Sequence, residues 1–154
     1  MSTRAIKFLK QKNIPFDVIR YTHEEKGAEF AARATGFALE KTVKTLVVDL
    51  GEGKCLLALL PGDKQLDLKG IARICSVKRA AMADTETAER LTGYLVGGIS
   101  PFGVKQRLPV MIEESILQFE RVLINAGQRG IMVLLLPQDI VKALDGKVSK
   151  IARV

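Results

Sequence analysis

Lys44 is the residue of this 154-residue chain whose setting points most directly to chemistry. It lies in a β-rich segment, residues 42–50, where side chains alternate between the two faces of a strand. Alternation places Lys44 with Leu46 and Val48, near the point where their apolar face begins. Its ammonium group either reaches water along its methylene chain or lies at the mouth of a pocket and donates to an anionic or carbonyl oxygen. The pattern alone leaves both interpretations open.

A glycine-rich tract over residues 93–103 is the second candidate. It contains too many glycines for an ordinary strand and too many apolar residues for a solvated linker. Because glycine permits positive φ and close backbone approach, Gly97 and Gly98 could present free N–H groups to a ligand. The alternative is a tight crossover or a bulge that binds nothing. The glycine spacing fits neither a P-loop nor a dinucleotide-binding fingerprint.

Basic charge is the third feature, with 24 Lys and Arg against 17 Asp and Glu and a net charge of +7. Lys69 and Arg73 fall on one predicted helix, Lys105 and Arg107 follow the glycine tract, and Arg129 lies in a predicted turn. Clustered basic residues favour a polyanionic partner such as nucleic acid, and the alternative is a solvated surface. The sequence contains no aromatic-rich stretch of the kind that predicts base stacking on a sheet.

Several chemistries are excluded by the scarcity of their residues. Cys55 and Cys75 are the only cysteines, which is too few for a disulfide scaffold, and they form no CxxC pair. His23 is the only histidine, so a zinc site lacks ligands, and no nucleophile elbow accompanies it for a Ser-His-Asp triad. We therefore expect no metal and no cofactor.

The chain shows no targeting or membrane-spanning signal. Its longest apolar runs, residues 55–60 and 131–136, are far shorter than the roughly 20 residues that span a bilayer. Charges interrupt the apolar residues of the N-terminus, which therefore lacks the core of a secretory signal. We expect a cytoplasmic protein.

The elements that must position these residues follow from composition and periodicity. With 47% hydrophobic and 27% charged residues, the chain is typical of a folded protein, and residues 1–154 fit one domain. Helical spacing predicts helices near residues 3–13, 28–34, 68–75, 85–92 and 137–145, with Asp67 and Asp84 as N-caps. Strands are predicted over residues 16–21, 42–50, 55–60, 110–113, 121–125 and 131–136, with turns at 51–53 and 126–130. The order favours an α/β (α+β) domain with a mixed, mostly aliphatic sheet flanked by helices.

The same segments resemble the YbaK/EbsC family of aminoacyl-tRNA deacylases, relatives of the editing domain inserted in bacterial prolyl-tRNA synthetases. The resemblance covers essentially the whole chain. It is carried by Val43-Lys44-Thr45-Leu46-Val47, Gln65-Leu66-Asp67-Leu68-Lys69, Met82-Ala83-Asp84 and, most specifically, Thr92-Gly93-Tyr94-Leu95-Val96-Gly97-Gly98-Ile99-Ser100-Pro101. Details of the last tract are most similar to the branch that removes cysteine from tRNA(Pro).

The resemblance implies a mixed sheet flanked by helices and a set of site residues. The functional lysine of the family falls on Lys44, and its pocket aromatics fall on Tyr21 and Phe30. Its loop of backbone donors falls on Gly97 and Gly98.

Three further positions follow from the same resemblance. Ser100 and Pro101 lie beside the donor loop, and a small polar pocket residue falls on Asn125. One position departs from the pattern: close relatives carry an acidic side chain where this chain has Met132.

The implied reaction is cleavage of the ester between a wrongly attached amino acid and the tRNA 3′ end. In the cysteine-specific branch, the substrate thiol attacks its own carbonyl, closes a thiolactone and releases the tRNA, which needs proximity more than an enzyme base. We hypothesise that Lys44 binds ester or phosphate oxygens, that the loop amides hold the carbonyl, and that Tyr21 and Phe30 exclude bulkier side chains. The basic residues are then expected to bind the acceptor end of tRNA(Pro), with prolyl-tRNA synthetase as a partner.

Three alternatives remain open from the sequence. The first is a deacylase for another small amino acid, alanine or serine, that uses water as its nucleophile. The second is a non-catalytic module that binds tRNA or a synthetase, and the third is a small-molecule binder without an RNA role.

Overall fold

The computed structural model describes residues 3–22 and 28–154, and the side chains of residues 28–30 lie outside that description. Within these ranges the chain forms five α-helices and eight β-strands. The helices are α1 (Arg4–Gln11), α2 (Ala28–Thr35), α3 (Leu68–Ile74), α4 (Thr85–Thr92) and α5 (Pro137–Leu144). The strands are β1 (Asp17–Arg20), β2 (Thr42–Gly51), β3 (Lys54–Pro61), β4 (Ala81–Met82), β5 (Val110–Glu113), β6 (Val122–Gln128), β7 (Ile131–Leu135) and β8 (Lys147–Ser149).

All eight strands belong to one mixed sheet in the order β1-β7-β6-β2-β3-β5-β8, with β4 as an additional partner of β2. The pairs β1–β7, β6–β7, β2–β3 and β2–β4 are antiparallel, whereas β2–β6, β3–β5 and β5–β8 are parallel. The predicted mixed sheet flanked by helices is therefore confirmed. β2 and β3 lie at its centre, as their predominantly apolar sequences indicate.

Three helices begin at caps that the sequence predicts. The side chain of Thr3 accepts a hydrogen bond from the N–H of Ile6, and Asp67 and Asp84 cap α3 and α4 in the same way. α4 ends at Gly93, as predicted. In the described part of the chain, no helix is long and apolar enough to cross a membrane.

The sheet separates two apolar layers. On one face, Val43 and Val47 of β2 pack in a cluster with buried residues of α1, α4 and α5. On the other face, Val48 of β2 packs against α3, and beside it Leu123 and Met132 pack against α2. Odd and even residues of β2 thus face different layers, as the period of a strand requires.

Both hairpin turns are shorter than the sequence indicates. β2 and β3 are joined by two residues, Glu52 and Gly53. β6 continues through a register shift to Gln128, so its turn to β7 consists of Arg129 and Gly130. Strands β4 and β8, of two and three residues, were not predicted, because such short segments carry no periodic pattern.

The central strand β2 has an unpaired stretch on the edge opposite β3. It pairs with β6 through its first two residues and with β4 through Val48 and Asp49, and no strand in the described ranges pairs with the stretch between them. Gly62 donates its N–H to the carbonyl of Thr42 at 2.8 Å. Since hydrogen-bonded pairs alternate along an antiparallel ladder, Thr45 turns its backbone N–H and C=O away from β3 and into this gap.

Glu113, the last residue of β5, is a buried carboxylate that ties the C-terminal segment to the sheet. It accepts hydrogen bonds from the N–H and hydroxyl of Ser115 and from the N–H groups of Ile151 (3.1 Å) and Ala152 (3.3 Å). Burial by itself raises the pKa of this carboxyl, but the hydrogen bonds together outweigh burial and hold the pKa below its ordinary value.

We predict that Glu113→Gln lowers the free energy of unfolding at pH 7 by about 1.5–3 kcal/mol, the range for hydrogen bonds to a charged group. Because the pKa is depressed in the folded state, the stabilisation is present above the ordinary glutamate pKa of about 4.3 and is lost as the pH falls through the folded-state value. Urea unfolding across this pH range measures both effects. The exposed neighbour variant Glu114→Gln is the control, and equal stability of the two variants at pH 7 would contradict the prediction.

Candidate active site

A cavity of about 420 Å³ lies at the gap beside β2. Residues from both faces of β2 line it, which is possible only because the sheet is interrupted there. The opposite walls come from the β4–α4 segment, the glycine tract and the β6–β7 hairpin. The lining residues are Tyr21, Ala31, Val43, Lys44, Thr45, Leu46, Val47, Met82, Ala83, Thr85, Ala88, Val96, Gly97, Ile99, Asn125 and Met132.

Lys44 is the one residue with a charged side chain among the described residues that line the cavity. Its ammonium group is therefore the positive charge that this site offers to an anionic or carbonyl oxygen. The same described lining contains no histidine, cysteine, aspartate or glutamate. Across the described residues, no group of three or more such side chains could hold a metal ion.

Gly97 lines the cavity from a tight turn, residues 95–98. The N–H of Gly98 donates to the carbonyl of Leu95 at 2.9 Å, and Gly97 has a φ of 96°. These are the features of a type II turn, whose third residue favours glycine. Because the Gly98 amide is used inside the turn, of the two amides expected to bind a ligand only that of Gly97 remains available. The Gly97 N–H donates no hydrogen bond to the residues that the structure describes.

Gly98 lies behind this turn, outside the cavity lining. A Cβ atom at this position would lie 3.0 Å from the backbone N of Arg129 and 3.1 Å from the Cα of Gln128. The glycine therefore allows the tract to pack directly on the β6–β7 turn. The role of Gly98 is to let the backbones of these two segments approach closely.

Asn125 links the same two segments and lines the cavity. Its Nδ2 donates to the carbonyl of Gly97 at 3.2 Å, and its Oδ1 accepts from the N–H of Gly127 at 2.8 Å. One side-chain amide therefore stabilises the irregular part of β6 and holds the turn that carries Gly97.

Tyr94 anchors the glycine tract from inside the first apolar layer. Its hydroxyl donates to the carbonyl of Phe102, so the phenol joins the two ends of the tract. Burial raises the pKa of Tyr94 to about 12, although the nearby guanidinium of Arg4 acts in the opposite direction. The phenol is therefore neutral at physiological pH and remains a donor.

Tyr21 lines the cavity with Lys44, Gly97 and Asn125, so the structure brings these four predicted residues together. Phe30 lies on α2, but its side chain is outside the described part of the structure.

Ser100 and Pro101 are buried and are not among the residues that line the cavity. Ser100 Oγ accepts a hydrogen bond from the N–H of Phe102 at 3.2 Å. Its contact therefore shapes the tract behind Gly97, away from the cavity.

Met132 forms part of the cavity wall, where the resemblance led us to look for an acidic side chain. It lies opposite Asn125 in the β6–β7 pairing and is 3% exposed. It packs with Ala31 and Leu123. This wall is consequently apolar.

Thr45 is a cavity residue that the sequence analysis did not assign to the site. Its hydroxyl is buried and has no hydrogen-bond partner among the described residues. The available signal was a hydroxyl directly after Lys44, on the face of the strand that it shares with Val43 and Val47. An unpartnered buried hydroxyl is costly unless a ligand satisfies it.

The five predicted tRNA-binding residues do not form one patch. Lys69 and Arg73 are exposed on α3, which covers one face of the sheet. Lys105 is exposed beside the end of α4, which packs on the opposite face, and Arg107 is exposed two residues later. Arg129 donates to the carbonyl of Val96 at 3.4 Å and so contacts the turn that carries Gly97.

Comparisons with known proteins show the family of this chain. Residues 22–143 match the family described as the aminoacyl-tRNA editing domain. The chain is 30% identical over 151 residues to the candidate Cys-tRNA(Pro)/Cys-tRNA(Cys) deacylase EbsC of Enterococcus faecalis, with 97% of this chain and 92% of that protein covered. It is 31% identical over 144 residues to the multifunctional Ser/Thr-tRNA deacylase ProXp-y of Escherichia coli K12, with 90% and 85% covered.

Among solved structures, a candidate trans-editing enzyme for prolyl tRNA synthetase superposes with a TM-score of 0.89 at 25% identity, covering 98% of this chain and 96% of the other. The family match spans most of the chain and includes the β2 residues, the glycine tract and the hairpin that form the cavity. This chain therefore belongs to the family of aminoacyl-tRNA editing domains.

Proposed function

We propose that this chain is a trans-editing deacylase that cleaves the aminoacyl ester of mischarged tRNA, with Cys-tRNA(Pro) as its substrate. The observation that carries the proposal is that Lys44 and Gly97, from different segments, line the same cavity. Its volume of about 420 Å³ is within the range of small-ligand sites, about 300–1,000 Å³. The name of the Enterococcus faecalis relative describes this activity.

The proposed reaction is one in which the substrate supplies its own nucleophile. The described lining holds no imidazole, thiol or carboxylate. In a cysteinyl ester, the thiol sulfur attacks the carbonyl carbon, the new C–S bond closes a thiolactone, and the C–O bond to the tRNA breaks. The thiol proton passes to the departing ribose oxygen. Such a step requires orientation of the ester and stabilisation of the developing oxyanion.

The cavity residues can supply these two requirements. The Gly97 N–H donates to the carbonyl oxygen as negative charge develops on it, and Lys44 binds the ester or terminal phosphate oxygens. Tyr21 bounds the space for the amino-acid side chain. The buried Thr45 hydroxyl is placed to bond a polar group of the substrate.

Replacing Lys44 by alanine is expected to lower kcat for Cys-tRNA(Pro) by about 10²–10³-fold, the effect of removing one oxyanion-stabilising group. Single-turnover deacylation of purified Cys-tRNA(Pro) measures this rate. Lys54→Ala removes the same charge from the exposed β2–β3 hairpin and should retain the wild-type rate. Retained deacylation by Lys44→Ala would remove Lys44 from the mechanism, and tRNA binding without turnover in the wild type would favour a non-catalytic binding module.

A deacylase for Ser-tRNA or Thr-tRNA that uses water is the second candidate function. The name of the Escherichia coli relative describes a Ser/Thr-tRNA deacylase. The Thr45 hydroxyl, which has no hydrogen-bond partner among the described residues, is also suited to a hydroxyl-bearing side chain. The two candidates differ in the source of the nucleophile.

A thiol-deleted substrate separates them. In α-aminobutyryl-tRNA(Pro) a methyl group replaces the thiol at nearly the same size, so we expect at least about a tenfold slower rate than for Cys-tRNA(Pro), because the intramolecular nucleophile is lost. Rates with Ala-tRNA and Ser-tRNA complete the series. Similar rates for the cysteinyl and α-aminobutyryl esters would reject thiol assistance, and faster cleavage of Ser-tRNA would support the second candidate.

The tRNA partner is part of the same proposal. With a net charge of +7, the protein is expected to bind the acceptor end through phosphates, with an affinity that falls steeply as salt increases. Because phosphate contacts carry no sequence information, recognition of tRNA(Pro) as such requires a further source of specificity. Prolyl-tRNA synthetase, acting in the cytoplasm where tRNA is charged, is the partner that fits this need.

A further inference from the structure

We infer that Arg129 and Glu89 are positioning residues that fix the direction of the Gly97 amide, an inference that rests on the proposed function. The predicted role of Arg129 was tRNA binding, and Glu89 had no predicted role. Both side chains contact Val96, the residue before Gly97 in the turn. They approach it from different elements, α4 and the β6–β7 turn.

The contact of Arg129 controls the peptide plane that contains the Gly97 N–H. Its Nη2 donates to the carbonyl of Val96 at 3.4 Å. A trans peptide is planar, so the Val96 C=O and the Gly97 N–H point in opposite directions. Holding the Val96 carbonyl towards Arg129 therefore directs the Gly97 N–H away from Arg129. Gly97 itself lines the cavity.

This control matters because a turn with glycine at its third position has an alternative. Type I and type II turns differ mainly in the orientation of their central peptide, which is rotated by roughly half a turn between them. Glycine tolerates both conformations. The bond from Arg129 to the Val96 carbonyl favours the observed form, and loss of this bond lets the central peptide of the turn rotate.

Glu89 holds the preceding peptide plane. Its Oε2 accepts a hydrogen bond from the N–H of Val96 at 2.7 Å, reaching from the last turn of α4. Asn125 holds the following plane through the carbonyl of Gly97. Three consecutive peptide planes are thus each held by one side chain, and Arg129 and Glu89 hold the two that precede the Gly97 Cα.

The experiment compares kinetics and turn conformation in five variants. Arg129→Ala and Glu89→Ala each remove one contact with Val96, while the Gly98–Leu95 and Asn125–Gly97 bonds remain. Arg79→Ala and Glu86→Ala remove the same charges from exposed positions that have no described contact with the turn. Steady-state deacylation of Cys-tRNA(Pro) is measured at several salt concentrations, and backbone chemical shifts of Val96 and Gly97 are measured by NMR on the full chain.

We expect Arg129→Ala and Glu89→Ala to lower kcat by about 10- to 100-fold, less than the roughly 10²–10³-fold for outright loss of a donor, with KM and its salt dependence unchanged. The Val96 and Gly97 shifts should change in these two variants and not in the controls. Glu89→Gln, whose amide oxygen still accepts from the Val96 N–H, should restore most of kcat.

Two results would overturn the inference. The first is that the chemical shifts of the turn and kcat are both unchanged in Arg129→Ala and in Glu89→Ala. The second is that Arg129→Ala has a raised KM with a weaker salt dependence at unchanged kcat, as loss of a direct phosphate contact would give. If wild-type protein cleaves no aminoacyl-tRNA, the proposed function fails. The NMR comparison then still reports whether Arg129 and Glu89 hold the turn.

Discussion

The interruption of strand pairing along β2 is the constraint on which the site depends. A strand at the centre of a sheet ordinarily has both edges paired, because buried N–H and C=O groups without partners are costly. Here β6 pairs only with the start of β2 and β4 only with its later part, and no strand of the described ranges pairs with the stretch between them. The cavity occupies this opening, and residues from both faces of β2 reach it. Continuous pairing would place Lys44 and the glycine tract on opposite sides of a closed sheet.

The irregular path of β6 contributes to this opening. Its register against β7 shifts between Asn125 and Gln128, and the Asn125 side chain accepts a hydrogen bond from Gly127 within that stretch. A bulge bends a strand and increases its local twist. The same part of β6 contacts the turn that carries Gly97 through Asn125. The register shift of β6 therefore both contributes to the opening in the sheet and positions the turn that forms the opposite wall of the cavity.

The proposed chemistry fits a site that orients its substrate and supplies few reactive groups. An aminoacyl ester is already activated, and an intramolecular thiol needs no separate binding step. A single ammonium group and a directed backbone amide then act where charge develops, in a largely apolar cavity where electrostatic interactions are stronger than in water. Such a role demands accurate placement of the amide, and the side chains around the Leu95–Gly98 turn provide it.

The sequence by itself determined most of the local structure. Apolar periodicity and capping residues located the five helices and the longer strands, and the predominantly apolar β2 and β3 indicated a central hairpin. Motif resemblance identified the family and singled out Lys44 and Gly97. These features depend on neighbouring residues, which a sequence displays directly.

Only the tertiary structure decided how those features combine. Side-chain alternation assigns Lys44 and Thr45 to opposite faces, and their shared cavity follows from where β6 leaves β2 and where the two-residue strand β4 joins it. Neither the end of the β2–β6 pairing nor the position of β4 has a local sequence pattern, because each depends on pairing between residues far apart in the chain. For the same reason, the sequence showed Arg129 as a basic residue in a turn, whereas the folded chain brings it to the carbonyl of Val96, 33 positions away.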